Sequence, residues 1–160
     1  MEVSLDPVTK RRYSRLYISG MDFDIAAYCL NMVIKKGWHH KPWERRGAVY
    51  QQQTVFTTTL IVAYARPFNS RPTKLELTNV PFNHGEKALH QKIMELRKKV
   101  CAHSDGDVYD IRPWRTKSFA TDIVRAPTVT ITSEQAGRLK GMIHKFQTHI
   151  HTELKKIVPQ

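Results

Sequence analysis

Apolar residues recur at helical spacing along most of the chain, and this pattern predicts mainly α-helical structure. The first helix is predicted to begin at Asp6 and Pro7, an acidic N-cap followed by proline at the first helical position. It is expected to run from residue 7 to about residue 19. Gly20 follows and is expected to end this helix, because glycine is the residue that most often terminates one.

The next stretch predicts a second helix, which begins at Asp22 or Asp24. Lys35 and Lys36 occupy its last turn, where cations are favoured, and Gly37 follows as its end. The apolar positions of this helix are spaced by four, three and four residues, so they share one face. They are Phe23, Ala27, Leu30 and Ile34.

A long segment almost free of charge, from about 45 to 65, predicts a central helix. The β-branched run at 54–59 favours a strand, but the length and spacing of the whole segment favour a helix. Arg66 and Pro67 are expected to close it, because the residue before a proline disfavours helical geometry. Residues 68–82 then predict a connecting loop.

Asn83 and Glu86 have the spacing of a capping box and predict the start of another helix, which extends to about His103. We refer to it as the motif helix. Its apolar stripe also follows a four-three-four spacing and ends close to the histidine. The stripe consists of Leu89, Ile93, Leu96 and Val100.

The region around 116–132 is rich in Thr, Val and Ile and predicts a short extended segment or a hairpin. Thr132 starts the last helix, which has the cleanest amphipathic pattern of the chain. Four or five helices with short connections predict an antiparallel bundle in one domain, residues 1–160. The apolar positions of the last helix are Ala136, Leu139, Ile143, Phe146, Ile150, Leu154 and Ile157.

The charge balance points to an anionic partner. The 160 residues include 26 Lys and Arg against 14 Asp and Glu, so the net charge is +12. Such an excess favours nucleic acid as a partner, with a membrane surface as the second choice. A basic surface that only keeps the protein soluble is the alternative interpretation.

Two cysteines, Cys29 and Cys101, are too few for a disulfide framework. Their positions within helical patterns favour small buried side chains in a reducing cytosol. The chain has no apolar run long enough to cross a membrane, and its first residues lack the apolar core of a signal peptide. We therefore expect a cytoplasmic protein without a membrane segment.

The loop after the second helix contains Trp38, His39, His40 and Trp43. Two tryptophans around a histidine pair have the composition of a base-stacking platform. Tryptophans in such a loop more often anchor it in the core, and we favour that interpretation. The histidine pair lacks spaced acidic or cysteine partners, so neither a metal site nor a cofactor is expected.

The candidate chemistry lies near the end of the motif helix, at Arg97 and His103. Six positions separate them by roughly 120° around an ideal helix, so they would flank one groove. An arginine can hold a phosphate in a fork of donors, and a histidine can titrate near neutral pH. Alternatively, Arg97 with Lys98 and Lys99 forms a solvated basic face, and His103 caps the helix.

Three further residues follow this segment closely: Arg112, Trp114 and Arg115. Arginines beside a tryptophan can contact a phosphate backbone and stack on a base, and they would then line the same groove. An arginine packed on the tryptophan ring at the surface is an equally good interpretation.

The sequence LRKKVCAHSD, residues 96–105, resembles the signature of HEPN domains, which is Arg, four to six residues, then His. In the abortive-infection-like branch the signature often reads Leu-Arg-x-Lys-x-x-Ala-His-Ser-Asp. The resemblance covers the motif helix closely and the helical layout of the chain loosely. Lys98 stands where active members often carry Asn, Asp or His.

The resemblance implies a HEPN-like helical bundle that forms two-fold homodimers, with the paired motifs facing each other. It also implies metal-independent RNA cleavage by attack of the 2′-hydroxyl, with Arg97 and His103 as catalytic residues. Ser104 and Asp105 would orient the histidine or cap the helix, and Lys98 would add a phosphate contact. Proteins of this kind belong to toxin–antitoxin or phage-defence systems, so a cognate antitoxin is an expected partner.

Two other functions remain open at this stage. The chain has the features of a HEPN-like bundle without catalysis, acting as an interaction or nucleotide-binding module. It also fits an unrelated basic helical domain that binds nucleic acid through charge alone.

Overall fold

The computed structural model describes residues 4–41, 43–44, 47–69, 75, 80–98, 110–125 and 129–158. This part of the chain contains four helices and one two-stranded antiparallel sheet, so the prediction of a mainly α protein is confirmed. The elements in chain order are α1 (Pro7–Lys36), α2 (Ala48–Asn69), α3 (His84–Leu96), β1 (Asp110–Arg115), β2 (Ala120–Arg125) and α4 (Ser133–Ile157).

The first two predicted helices are one continuous helix of 30 residues, α1. The expected break at Gly20 is wrong. Glycine within a helix costs about 1 kcal/mol relative to alanine. Buried residues on both sides of Gly20, such as Leu16 and Phe23, offset this cost. The missing side chain also brings α4 close, since a Cβ at Gly20 would lie 3.7 Å from Ile150 Cγ2.

The outer ends of α1 follow the predicted capping. The Asp6 carboxylate accepts the backbone N–H groups of Val8 and Thr9 at 2.9 and 3.1 Å. Gly37 adopts a φ of 63°, a left-handed conformation that glycine enters without steric cost, and its N–H bonds to the last carbonyls. Asp22, expected as an N-cap, instead lies buried within α1 and forms an ion pair with Arg66 at 3.3 Å.

The central helix α2 continues past its predicted end to Asn69, with Pro67 inside it. Proline lacks an N–H, but at this position only one intrahelical hydrogen bond is lost, close to the end of the helix. The Pro67 carbonyl accepts the N–H of Leu75 at 2.9 Å. These contacts therefore set the end of α2. The helix continues through Pro67, although the residue before a proline usually disfavours helical geometry.

Helix α1 packs antiparallel against both α2 and α4. Along α2, Asp22 contacts Arg66 and the later Tyr28 contacts the earlier Phe56. Along α4, Asp24 contacts Gln147, whereas Arg12, which is nearer the N-terminus of α1, contacts the later residue Glu153. The core centres on stacked rings of Phe23 and Phe146, with centroids 5.0 Å apart and planes 4° from parallel. The rings of Tyr64, Phe68 and Phe82 contact this pair, and the His90 ring packs on Tyr64 and Phe68.

The predicted start of the motif helix is confirmed. The Asn83 side chain accepts the N–H of Glu86 at 2.9 Å, and Glu86 accepts the N–H of Asn83 at 2.8 Å. Burial raises the pKa of the Glu86 carboxyl, but hydrogen bonds from Lys145 and Asn83 bring it below its ordinary value. The Lys145 ammonium lies 2.7 Å from this carboxylate and so ties α3 to α4.

The predicted extended region forms a hairpin that begins earlier than expected, at Asp110 rather than near residue 116. Thr116 closes its turn, because its N–H donates to the Phe119 carbonyl at 2.7 Å. Pro113 is tolerated because both strands of a two-stranded sheet are edges. The later residues 129–131 lead into α4, which a capping box at Thr132 starts as predicted.

Candidate functional site

Arg97 lies directly after the last residue of α3. Its backbone N–H donates to the carbonyls of Ile93 and Met94, so the chain still follows a helical path there. The predicted stripe is on the core side: Leu89 and Ile93 are buried and Leu96 is half-buried. The end of α3 is therefore anchored one turn before Arg97.

The two motif cations differ in exposure. Arg97 is half-buried, whereas Lys98 is exposed. The guanidinium of Arg97 carries a fork of donors, which suits two-point recognition of an anion. Lys98 is suited to a more mobile contact with a phosphate.

The remaining motif residues, His103, Ser104 and Asp105, lie outside the described residues, as do Val100 and Cys101. The convergence of Arg97 and His103 on one groove therefore stays a prediction.

The hairpin, residues 110–125, presents both of its faces to solvent. The side chains of its residues 111–123 are all exposed. Within the described part of the chain, no hydrogen bond, ion pair or ring contact joins the hairpin to a helix. A two-stranded hairpin is marginally stable on its own and gains from a binding partner. We call this feature the exposed hairpin.

Side-chain alternation divides the predicted contact residues between the two faces of the exposed hairpin. Arg112 and Trp114 share one face, and Arg115 lies on the other. Arg112 forms a two-point ion pair with Asp110, with Nε–Oδ1 and Nη2–Oδ2 distances of 3.0 and 2.8 Å. Arg115 has no ion-pair partner among the described residues. The three side chains therefore do not all line one groove of a single chain.

The Trp114 ring is 46% exposed and meets the edge of Phe119, which is 59% exposed, at a centroid distance of 6.4 Å. Trp114 contacts a second ring here, and in the described residues no cation lies over it. Two adjoining exposed rings beside arginines and Lys117 have the composition of a single-stranded nucleic-acid surface. Sequence reasoning had found Trp114 but not Phe119, which lies in the turn.

The tryptophan loop is mainly a core anchor. Trp38 is buried and packs on Phe56 with a centroid distance of 5.4 Å, so the favoured interpretation is confirmed for this residue. Buried Gln53 holds the His40 backbone through hydrogen bonds of 3.0 and 2.7 Å. Trp43 is exposed, with the Lys41 ammonium 5.4 Å from its ring. Only one of the two tryptophans is thus accessible to a base.

A buried pair that the sequence did not reveal lies between α2 and α3. Tyr64 Oη and His90 Nδ1 form a hydrogen bond of 3.0 Å, and both side chains are buried. Burial lowers the pKa of His90 to about 4, and burial with the nearby Glu86 carboxylate raises the pKa of Tyr64. His90 is therefore neutral near pH 7 and closed to substrate. In the sequence, His90 lies four residues after Glu86 and three before Ile93, and this helical spacing places it on the buried face of α3.

This pair predicts acid sensitivity. Between pH 6.5 and pH 4 the unfolded chain protonates His90 but the folded chain does not, so stability falls as the pH falls. We expect wild type to lose about 2 to 3 kcal/mol more than His90→Gln between pH 7 and about pH 4.5. Urea unfolding followed by circular dichroism measures this difference. Equal losses in the two proteins would contradict the prediction.

Within the described ranges, no group of three or more His, Cys, Asp or Glu side chains is placed to hold a metal ion. None of the helices given above combines the length and the apolar character that a membrane span requires. The chain matches no protein-family model, no curated protein and no solved structure.

Proposed function

We propose that this protein is a metal-independent endoribonuclease of the HEPN type. The observation that carries the proposal is the position of Arg97, half-buried at the end of a capped and core-anchored helix, within the sequence LRKKVCAHSD. The net charge of +12 supports an RNA substrate. The exposed hairpin follows the motif closely in the chain and supplies further cations and rings.

In the proposed reaction, His103 takes the proton of a ribose 2′-hydroxyl, and the resulting oxygen attacks the adjacent phosphorus. The bond from phosphorus to the 5′-oxygen breaks, that oxygen takes a proton from water, and His103 releases the proton that it took from the 2′-hydroxyl to solvent. The products are a 2′,3′-cyclic phosphate and a 5′-hydroxyl. Arg97 stabilises the negative charge that accumulates on the phosphate oxygens in the transition state.

The neighbouring residues have supporting roles in this proposal. Lys98 contacts a flanking phosphate, and Ser104 and Asp105 orient the histidine. The helices form an antiparallel HEPN-like bundle, and two chains pair so that each contributes an Arg97 and a His103. The antiparallel contacts of α1 with α2 and α4 support the bundle. As the resemblance implies, the protein acts in a toxin–antitoxin or phage-defence system with a cognate antitoxin. The proposed location is the cytoplasm, as its cysteine usage suggests.

The test is cleavage of a labelled single-stranded RNA by the purified protein in the presence of EDTA. We expect products that end in a cyclic phosphate, because the 2′-hydroxyl is the nucleophile. DNA of the same sequence and RNA with 2′-O-methyl groups serve as matched controls and should stay intact. Cleavage of either control, or intact RNA at high protein concentration, would contradict the proposal.

The exposed hairpin favours a second function, which is binding of single-stranded RNA without cleavage. Its rings and cations are open to solvent, and none of its described side chains is held against a helix. Stacking on Trp114 and Phe119 would supply affinity for any base, and Arg115 and Lys117 would contact phosphates. Intact RNA in the cleavage test together with tight binding would support this function.

We expect Trp114→Ala to weaken RNA binding about tenfold or more, since base stacking on an aromatic side chain contributes about 1–3 kcal/mol. Arg115→Ala should reduce the slope of log affinity against log salt by about one. Fluorescence anisotropy with a labelled oligouridine measures both effects, in a His103→Ala background that prevents cleavage.

Ile123→Ala is the matched control for these hairpin variants, because Ile123 is exposed on the hairpin but cannot stack on a base. It should bind RNA as the parent does. Equal affinity of the Trp114 and Ile123 variants would place the RNA elsewhere on the protein.

A further inference from the structure

Helix α1 carries a second apolar face, which points away from the core. Its residues recur every three or four positions and fall within roughly 100° of the helix circumference. Isolated exposed apolar side chains need no explanation, but a continuous stripe of this kind marks an interaction surface. We call it the outer stripe, and it consists of Tyr17, Ile18, Met21, Ile25 and Tyr28, which are 55, 50, 54, 43 and 62% exposed.

The outer stripe borders a groove between α1 and α4. One cavity of about 250 Å³ is lined by Tyr17, Met21 and Gly20 on α1 and by Ile150 and Leu154 on α4. The absent side chain of Gly20 leaves its floor open, and a Cβ there would lie against Ile150. The depression is of a size to receive a large apolar side chain from a partner.

The groove continues along the same two helices. A second cavity of about 190 Å³ lies further along, with an apolar part formed by Ala27, Leu30 and Ile143 and a polar part formed by Asn31, Lys140, His144 and Gln147. A hydrogen bond of 2.8 Å from Gln147 to Asp24 separates the two cavities. Two depressions in line along a helix pair, each with apolar and polar lining residues, match the spaced anchors of an amphipathic helix that lies in the groove.

Cations stand at both ends of the outer stripe, on the same side of α1. Lys10 and Arg11 precede it, and Lys35 and Lys36 follow it. All four are exposed, and none has an ion-pair partner among the described residues. At 1.5 Å per residue the two pairs lie about 38 Å apart. The surface is therefore apolar in the middle and positive at each end.

We propose that the α1–α4 groove docks an amphipathic helix of a partner protein, with acidic residues flanking its apolar stripe at both ends. The charges of α1 select against a second copy of this chain. An antiparallel pair of α1 helices centred on the outer stripe, near residue 23, would place Lys10 opposite Lys36 and Arg11 opposite Lys35. The concave groove fits an inserted side chain better than a flat membrane surface. This inference goes beyond RNA cleavage and does not rest on it.

The test uses a fluorescein-labelled designed peptide of about 28 residues, long enough to span the two cation pairs. Its helix carries leucines at helical spacing and two glutamates at each end. We expect saturable binding in the micromolar range by fluorescence anisotropy. Met21→Glu should weaken binding about tenfold or more, because Met21 belongs to the outer stripe and also lines the groove. A peptide with lysines in place of the terminal glutamates should bind at least tenfold more weakly.

Ile123→Glu provides the matched control, because Ile123 is 53% exposed on the hairpin and Met21 is 54% exposed on α1. It should leave peptide binding unchanged. The proposal is overturned if the acidic peptide does not bind, if Met21→Glu has no effect, or if both peptides bind equally.

Two other occupants of the groove would also overturn the proposal. The first is a second copy, shown if light scattering finds a dimer that Met21→Glu converts to a monomer while the peptide fails to bind. The second is a membrane, shown if phosphatidylserine-containing vesicles pellet the wild type but not Met21→Glu, again without peptide binding. RNA cleavage is measured separately, so its failure leaves this test intact.

Discussion

Arg97→Ala is expected to lower the rate of RNA cleavage by about 10²- to 10³-fold, the loss found when one preorganised donor to a developing negative charge is removed. Arg97 is half-buried and lies directly after the last residue of α3. Arg97→Lys keeps the charge but loses the fork of donors, so it should recover only part of the rate. Single-turnover cleavage in EDTA measures these effects.

Arg138→Ala is the control for Arg97→Ala. It also removes a guanidinium from the surface of a helix, where Arg138 pairs with Glu134 at 3.0 Å. Its cleavage rate should stay within about twofold of wild type, since exposed ion pairs contribute little. A helical circular dichroism signal equal to that of wild type shows that each variant is folded. A rate above half of wild type for Arg97→Ala would remove this residue from the mechanism.

The histidine belongs to the same experiment. His103→Ala should lower the rate by about 10²- to 10⁴-fold, the usual contribution of a general acid or base. Added imidazole should restore part of the activity of His103→Ala but not that of Arg97→Ala, because only the former lacks a proton carrier. Cleavage that survives both substitutions would leave RNA binding by the exposed hairpin as the better-supported function.

The second large effect is expected in the core. Phe146→Ala should lower the free energy of unfolding by about 3–5 kcal/mol, the range for removal of a buried aromatic ring. The Phe146 ring is fully buried and stacks on Phe23, and the edges of Phe68 and Phe82 meet it at 5.1 Å. These contacts join α1, α2 and α4, so the cavity left behind cannot close without moving a helix.

Urea unfolding followed by circular dichroism measures this loss. Phe119→Ala is the matched control, because it deletes the same ring from an exposed position in the hairpin turn. Its effect should remain within about 0.5 kcal/mol, as for most surface substitutions. A loss below about 1 kcal/mol for Phe146→Ala would mean that the aromatic cluster does not hold the helices together.

The two substitutions are expected to change different properties: Phe146→Ala changes the stability of the fold, and Arg97→Ala changes the rate of cleavage. Phe146 supports the helix packing that anchors α3 against α4, whereas Arg97 acts at the end of α3 on the substrate. Phe146→Ala should therefore reduce cleavage only under conditions where the protein unfolds. Arg97→Ala should reduce cleavage at every temperature without lowering stability.

Local signals were sufficient for the starts of α1, α3 and α4 and for the C-terminal end of α1, but they also predicted a false start at Asp22 or Asp24. Asn83 and Thr132 form capping boxes with residues three positions later, and Gly37 ends α1 in a left-handed conformation. Such caps satisfy backbone groups within one turn of chain, so the residues that form them are adjacent in sequence. The sequence predicted that the motif helix extends to about His103, whereas α3 is His84–Leu96 with Arg97 directly after it, and residues 99–109 lie outside the described residues.

The exposure of the candidate contact residues was only partly predictable. Arg112, Trp114 and Arg115 were found from their types, but their division between two faces follows from the register of β1 with β2. Trp38 and Trp43 look alike in the sequence, yet one is buried against Phe56 and the other is exposed. Burial depends on which distant segment packs nearby, and no local pattern records that partner.

The sequence by itself determined the mainly helical class, the capped starts of α3 and α4, and the basic character of the chain. The tertiary structure decided that α1 continues through Gly20, that α2 continues past Pro67, and that His90 is buried beside Tyr64. Glycine and proline each weaken a helix by a few kcal/mol at most. Packing of α1 between α2 and α4 buries enough apolar surface to outweigh that cost, and this gain exists only once the three helices have met.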